Sequence, residues 1–148
     1  MRSLALRALI VGVLAVRVGS MAGEAMAQEA TNQALLPAAL ADLAWRLVEI
    51  DGNVPDPDLP PVTLAFGPAR AEGSGGCNWY TAWLEISGDR KVAVSHLAAT
   101  SRDCVHPRTM DLEARYLAAL EGLTTYSLGG DALVLTAGDN TRLGFMRR

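Results

Sequence analysis

Hydrophobic positions along this chain fall mostly into short alternating runs. Between residues 62 and 66, Val62, Leu64 and Phe66 alternate with Thr63 and Ala65, the period-two pattern of a strand buried on one face. Short segments of similar character predict strands over 45–50, 79–86 and 91–95, with a brief returning strand at 70–73. The segment 54–61 holds Pro55, Pro57, Pro60 and Pro61 and forms a loop, because proline cannot donate to a regular ladder. Ser87-Gly88-Asp89 and Gly129-Gly130-Asp131 mark hairpin turns. One segment follows a different period. After Pro107, Leu112, Tyr116, Leu120 and Leu123 recur at helical spacing with Ala119 beside them, which predicts a helix over 109–121 that stops at Gly122. Strands return at 124–128, 132–136 and 141–146. Strands, one helix, then strands describe an α+β domain: a small, antiparallel, β-rich curled sheet, barrel-like and crossed by one helix.

The N-terminus departs from this pattern. Arg2 and Arg7 precede an apolar run from Ala8 to Val16, and Ala25-Met26-Ala27 places small residues where a signal peptidase cuts. The run is too short to span hydrocarbon, which takes roughly 20 residues. Residues 1–27 therefore read as a signal peptide cleaved after Ala27, residues 28–42 as a linker, and residues 43–148 as the folded domain. The alternative is an amphipathic helix that stays attached. No cysteine stands near the cleavage site to carry a lipid, so the expected location is the periplasm or the exterior, with no transmembrane segment in the mature chain. Removing the signal takes Arg2, Arg7, Arg17 and Glu24 from a chain of net charge −3 and leaves 121 residues at about −5. An acidic domain without a Lys/Arg cluster is a poor partner for nucleic acid.

Export changes the meaning of the two cysteines. In an oxidising compartment, Cys77 and Cys104 are expected to form one disulfide. Bonded sulfurs leave no thiolate for catalysis, although Cys104 lies two residues from His106. The spacing of Cys77, His96, Cys104 and His106 matches no common zinc finger, so neither metal nor other cofactor is expected. Gly73-Ser74-Gly75 lacks the spacing of a hydrolase nucleophile elbow. No pair of carboxylates stands out for glycosidic cleavage. A non-enzymatic protein is the expectation.

Gly75-Gly76-Cys77-Asn78 reads as a chain corner. The glycines permit positive φ or close backbone approach, and the Asn78 amide can satisfy backbone groups left open there. No Lys-Ser/Thr follows the glycines, which argues against a phosphate cradle. Three stretches then stand in order: Gly75-Gly76-Cys77-Asn78-Trp79-Tyr80, Leu97-Ala98-Ala99-Thr100-Ser101-Arg102-Asp103-Cys104, and Glu113-Ala114-Arg115-Tyr116-Leu117-Ala118-Ala119-Leu120. Flanked by Trp45-x-Leu47 and by Leu133-x-Leu135 with Leu143-x-Phe145, they resemble the META domain (HslJ-like) family over about residues 43–147. The resemblance implies a small antiparallel β-rich domain crossed by a helix, exported in bacteria and associated with envelope stress and antibiotic tolerance. It marks Gly75, Gly76, Asn78 and Thr100 as motif residues. There are two departures from it: Ala82-Trp83 stands where the family often has glycine and an aromatic, and Arg102 where it often has methionine.

Trp79, Tyr80 and Trp83 crowd onto one strand, with Trp79 and Trp83 on one face and Tyr80, Ala82 and Leu84 on the other. The expectation is that the two tryptophans line the core and Tyr80 is partly exposed. The opposite arrangement exposes Trp79 and Trp83 as candidate ligand-binding residues. The first functional expectation is thus a monomeric envelope protein that binds another envelope component or supports the envelope under stress. The alternative is a small-molecule or glycan-binding module using exposed Trp79 and Trp83.

Overall fold

A computed structural model describes residues 40–41 and 43–148. Its eight strands are β1 (Ala44–Ile50), β2 (Thr63–Phe66), β3 (Arg70–Ser74), β4 (Trp79–Ser87), β5 (Lys91–Ala99), β6 (Leu123–Gly129), β7 (Ala132–Ala137) and β8 (Arg142–Arg147), with one helix, α1 (Pro107–Glu121), between β5 and β6. Each strand pairs antiparallel with the next, and β8 returns to β1, so the sheet closes into a barrel. The expected curled, β-rich sheet with one helix is this barrel. The signal segment 1–27 and most of the linker lie outside the described residues.

Closure follows from the alternation along the strands. In β4, Tyr80, Ala82, Leu84 and Ile86 point inward while Trp79, Thr81, Trp83 and Glu85 point outward. Trp45, Leu64, Leu133, Leu135, Leu143 and Phe145 fill the interior from other strands. Helix α1 adds Tyr116, Ala119 and Leu120 to the same core. Leu40 is fully buried in it too, so the packed domain begins inside the stretch expected to be linker.

Three local expectations are corrected. The strand expected at 91–95 runs on to Ala99, because a bulge at His96 (φ 51°) inserts an extra residue: Trp83 pairs with Ser95, but Thr81 pairs with Ala98. Helix α1 begins at Pro107, where proline's missing N–H costs no helical bond. Its buried face holds Thr109, Glu113, Tyr116, Ala119 and Leu120, whereas Leu112 is half-buried and Leu123 belongs to β6. Gly122 does end the helix, but at φ −87° instead of the left-handed conformation.

Candidate functional site

Two constructions meet around the start of β4, one buried and one open to solvent. The buried one ties the Gly-Cys-Asn corner to α1. The carboxyl of Glu113, itself buried, accepts hydrogen bonds at Oε2 from the backbone N–H of Cys77 (3.1 Å) and of Asn78 (2.6 Å). Its Oε1 accepts from Asn78 Nδ2 (2.7 Å). Asn78 Nδ2 also donates to the Arg102 carbonyl (3.2 Å), and Asn78 Oδ1 accepts from Thr100 Oγ1 (2.9 Å) and the Arg102 N–H (2.8 Å). Every bonding position of the Asn78 side-chain amide is thus filled, as burial of such a group requires. Thr100 Oγ1 accepts from the Trp79 N–H (3.2 Å), which sets the first residue of β4.

The glycines make this approach possible. A Cβ on Gly75 would lie 2.6 Å from Glu113 Oε2, and Gly76 turns the corner at φ +107°. Cys77 and Cys104 are bonded, with Cα atoms 5.9 Å apart, which fastens the segment after Thr100 to the same corner. The motif residues Gly75, Gly76, Asn78 and Thr100 are therefore all brought together, and their partner Glu113 was missed. Its signal lay in the helix: Thr109, Glu113, Tyr116 and Leu120 are spaced as one face, and a carboxyl group on an apolar face asks for partners.

Tyr80 faces inward at 3% exposure, so the expectation that it is partly exposed is corrected, and its ring is closed to an external ligand. Its hydroxyl donates to the Thr63 carbonyl (2.9 Å) and lies 2.6 Å from the Tyr116 hydroxyl, inside the barrel. Burial holds both phenols well above the ordinary tyrosine pKa, so both stay neutral.

The tryptophans reverse their expectation as well. Trp79 is 61% exposed and Trp83 46%, both outside the barrel, because the inward face of β4 is the one that carries Tyr80, whose hydroxyl finds Thr63 and Tyr116 there. Beside Trp79 lies an open cavity of about 580 Å³. Its floor is a transverse row of outward side chains in register across five strands: Ala44 opposite Ala65, Ala65 opposite Glu72, Glu72 opposite Thr81, and Thr81 opposite Ala98. Trp79 banks this trough on one side. Arg148 also lines it, whereas Trp83 and its cross-strand partner Arg70, whose guanidinium sits 4.9 Å from the indole centroid, lie one row further along the strands, outside the cavity lining. The floor could not be read from sequence, because it depends on the register of five strands.

The histidines do not join either construction. His96 sits on the surface at the β5 bulge, its Nδ1 3.2 Å from Ser95 Oγ, and His106 is the residue before α1. Among the described residues no three His, Cys, Asp or Glu side chains gather as a metal site requires.

The META domain family matches residues 38–148. No curated protein matches the chain. Among solved structures, an NMR structure of a protein from Burkholderia xenovorans is similar at 25% identity and a TM-score of 0.58, covering 77% of this chain and 89% of that one. A second NMR structure is similar at 23% identity and a TM-score of 0.62, covering 76% and 95%. A crystal structure of a DUF4847 family protein from Bacteroides vulgatus shares the fold at 16% identity and a TM-score of 0.52, covering 72% and 93%.

Proposed function

The chain belongs to the META domain family, and on that premise we propose that it is an exported, non-catalytic binding domain of the bacterial envelope, whose outer trough takes another envelope component and so supports the envelope under stress. The observation that carries this reading is the trough beside Trp79: a large indole left in solvent next to a concave floor is the arrangement in which binding energy concentrates. Export is supported by the signal-like N-terminus and by the Cys77–Cys104 bond, which suits an oxidising compartment. A binding role is supported by the chemistry already spoken for. Both sulfurs are in the disulfide, Glu113 is saturated by the corner, and Tyr80 and Tyr116 are closed off in the core.

The test uses the protein recovered from cells expressing the full-length chain, mixed with a bacterial envelope fraction and sedimented. The wild-type protein is expected in the pellet. Trp79→Ala is expected to lower the bound fraction by about tenfold, the size of effect a buried aromatic anchor gives. Val105→Ser, on the exposed loop before α1, is expected to bind as wild type. Wild-type protein that stays in the supernatant, or binding indifferent to Trp79, contradicts the reading.

A further inference from the structure

The trough constrains what can lie in it. Its floor crosses five strands, a length of about 19 Å at the usual strand spacing. Four floor residues are short (Ala44, Ala65, Thr81 and Ala98), and Glu72 is the one charged side chain among the five. No hydrogen-bond or ion partner holds the Glu72 carboxyl among the described residues. The two tryptophans differ: Arg70 already covers a face of Trp83, whereas among the described residues no cation stacks on Trp79. The Cα atoms of the two tryptophans, four residues apart on β4, are about 13 Å from each other, a spacing wider than one sugar ring.

Other occupants fit this surface poorly. An extended peptide binds a sheet by adding to a free edge, but β1, β2, β3 and β4 each have a strand on both sides, so the floor offers it no unpaired backbone along most of its length. A lipid chain would have to desolvate the Glu72 carboxylate. A polyhydroxylated chain suits the indole, the carboxylate and the short floor alike, and its hydroxyls can also accept from Arg148 at the cavity's rim. The C–H face of a pyranose ring stacks on the free indole of Trp79, its hydroxyls donate to Glu72 and exchange bonds with Thr81, and the short floor leaves room for ring thickness.

We propose that the trough binds a linear oligosaccharide laid across β1 to β5, with one ring on Trp79 and hydroxyl groups on Glu72 and Thr81. This rests on the trough being the binding surface.

The experiment titrates the disulfide-bonded protein with chitotetraose, cellotetraose and maltotetraose, each beside its monomer. Tryptophan fluorescence and the amide NMR signals of residues 72, 81 and 98 report binding. At least one tetramer is expected to shift these signals and to bind about tenfold or more tighter than its monomer, since only the longer chain spans the floor. Trp79→Ala is expected to weaken that tetramer by about tenfold and Glu72→Gln by about fivefold. Ala98→Trp, which fills the floor and leaves Trp79 in place, is expected to abolish binding. If no tetramer moves the signals while the envelope fraction still sediments the protein through Trp79, the oligosaccharide assignment is wrong and the binding surface stands. Tetramer binding that ignores both Trp79→Ala and Ala98→Trp likewise overturns the assignment. Loss of envelope sedimentation altogether instead removes the broader reading.

Discussion

Glu113 shows how one side chain can hold a fold's signature sequence in place. Three N–H groups from Cys77 and Asn78 point at its carboxyl, and none has another acceptor of comparable quality. Glu113→Ala leaves them unsatisfied in a buried setting, and a loss of about 2–5 kcal/mol follows from the usual cost of orphaned donors. Glu113→Gln keeps an acceptor oxygen but turns an NH2 group toward Asn78 Nδ2, so it falls between. Urea midpoints are expected in the order wild type, Gln, Ala, and equal midpoints would show that water replaces the carboxyl. The phenol pair makes a second residue-scale prediction. Because the Tyr80 hydroxyl donates to the Thr63 carbonyl, Tyr116 is the donor in the Tyr80–Tyr116 bond. Tyr116→Phe therefore costs one bond, about 1 kcal/mol, while Tyr80→Phe strands both a carbonyl and a hydroxyl and costs more, about 1–3 kcal/mol. Burial raises both folded pKa values above the unfolded one. The pair's contribution is thus full below the unfolded tyrosine value of about 10 and is lost as pH rises beyond it. A urea-midpoint series across alkaline pH should show this decline in the wild type and a shallower one in the double Phe variant.

At the scale of elements, the disulfide and the hydrogen-bond knot secure the same junction by different means. The knot fixes the folded corner, whereas the cross-link mainly restricts the unfolded chain between residues 77 and 104. Replacing both cysteines by serine is expected to cost about 3–4 kcal/mol by loop-closure entropy. The Asn78 and Trp79 amides should nonetheless stay protected from hydrogen exchange in the variant's native state, because their acceptors are Glu113 and Thr100. Loss of that protection would mean that the covalent bond builds the knot. The elements themselves were largely legible: alternation placed the strands and the helical period placed α1, since burial of one face is written in local spacing. What local spacing omits is which face goes inward when both carry aromatics. On β4 the choice turned on Tyr80 finding Tyr116 and Thr63, partners 36 and 17 residues away. The bulge at His96 was hidden for a similar reason, since it shows only against the register of β4.

For the molecule as a whole, the decisive pairing is between the first strand and the last. Trp45 lies opposite Arg147, and the Arg148 N–H donates to the Ala44 carbonyl (2.9 Å). The ends of the described domain are therefore neighbours. A circular permutant that joins Arg148 to Leu40 through a glycine-serine linker, so that the buried Leu40 is kept, and opens between Gly88 and Asp89, in an exposed turn, is expected to fold with near-native circular dichroism and to keep the Cys77–Cys104 bond. A permutant that fails to close would show that chain order, beyond contact pattern, directs the barrel. The trough is also a property of this scale. Its floor residues lie as far apart in sequence as Ala44 and Ala98, and only barrel register makes them neighbours, so the motif residues could be found in the sequence while the floor could not.

The same first-to-last pairing sets the timing of folding during synthesis. Roughly 100 residues separate Trp45 from the strand that covers it, which at ordinary elongation rates is on the order of 5–20 s. Throughout that interval β1 has one edge without its partner strand, and the barrel exists only as an open, incomplete sheet. Completion of the core therefore waits for the last strand, so a chain truncated before β8 should leave Trp45 and Leu47 without the cover that Phe145 gives them.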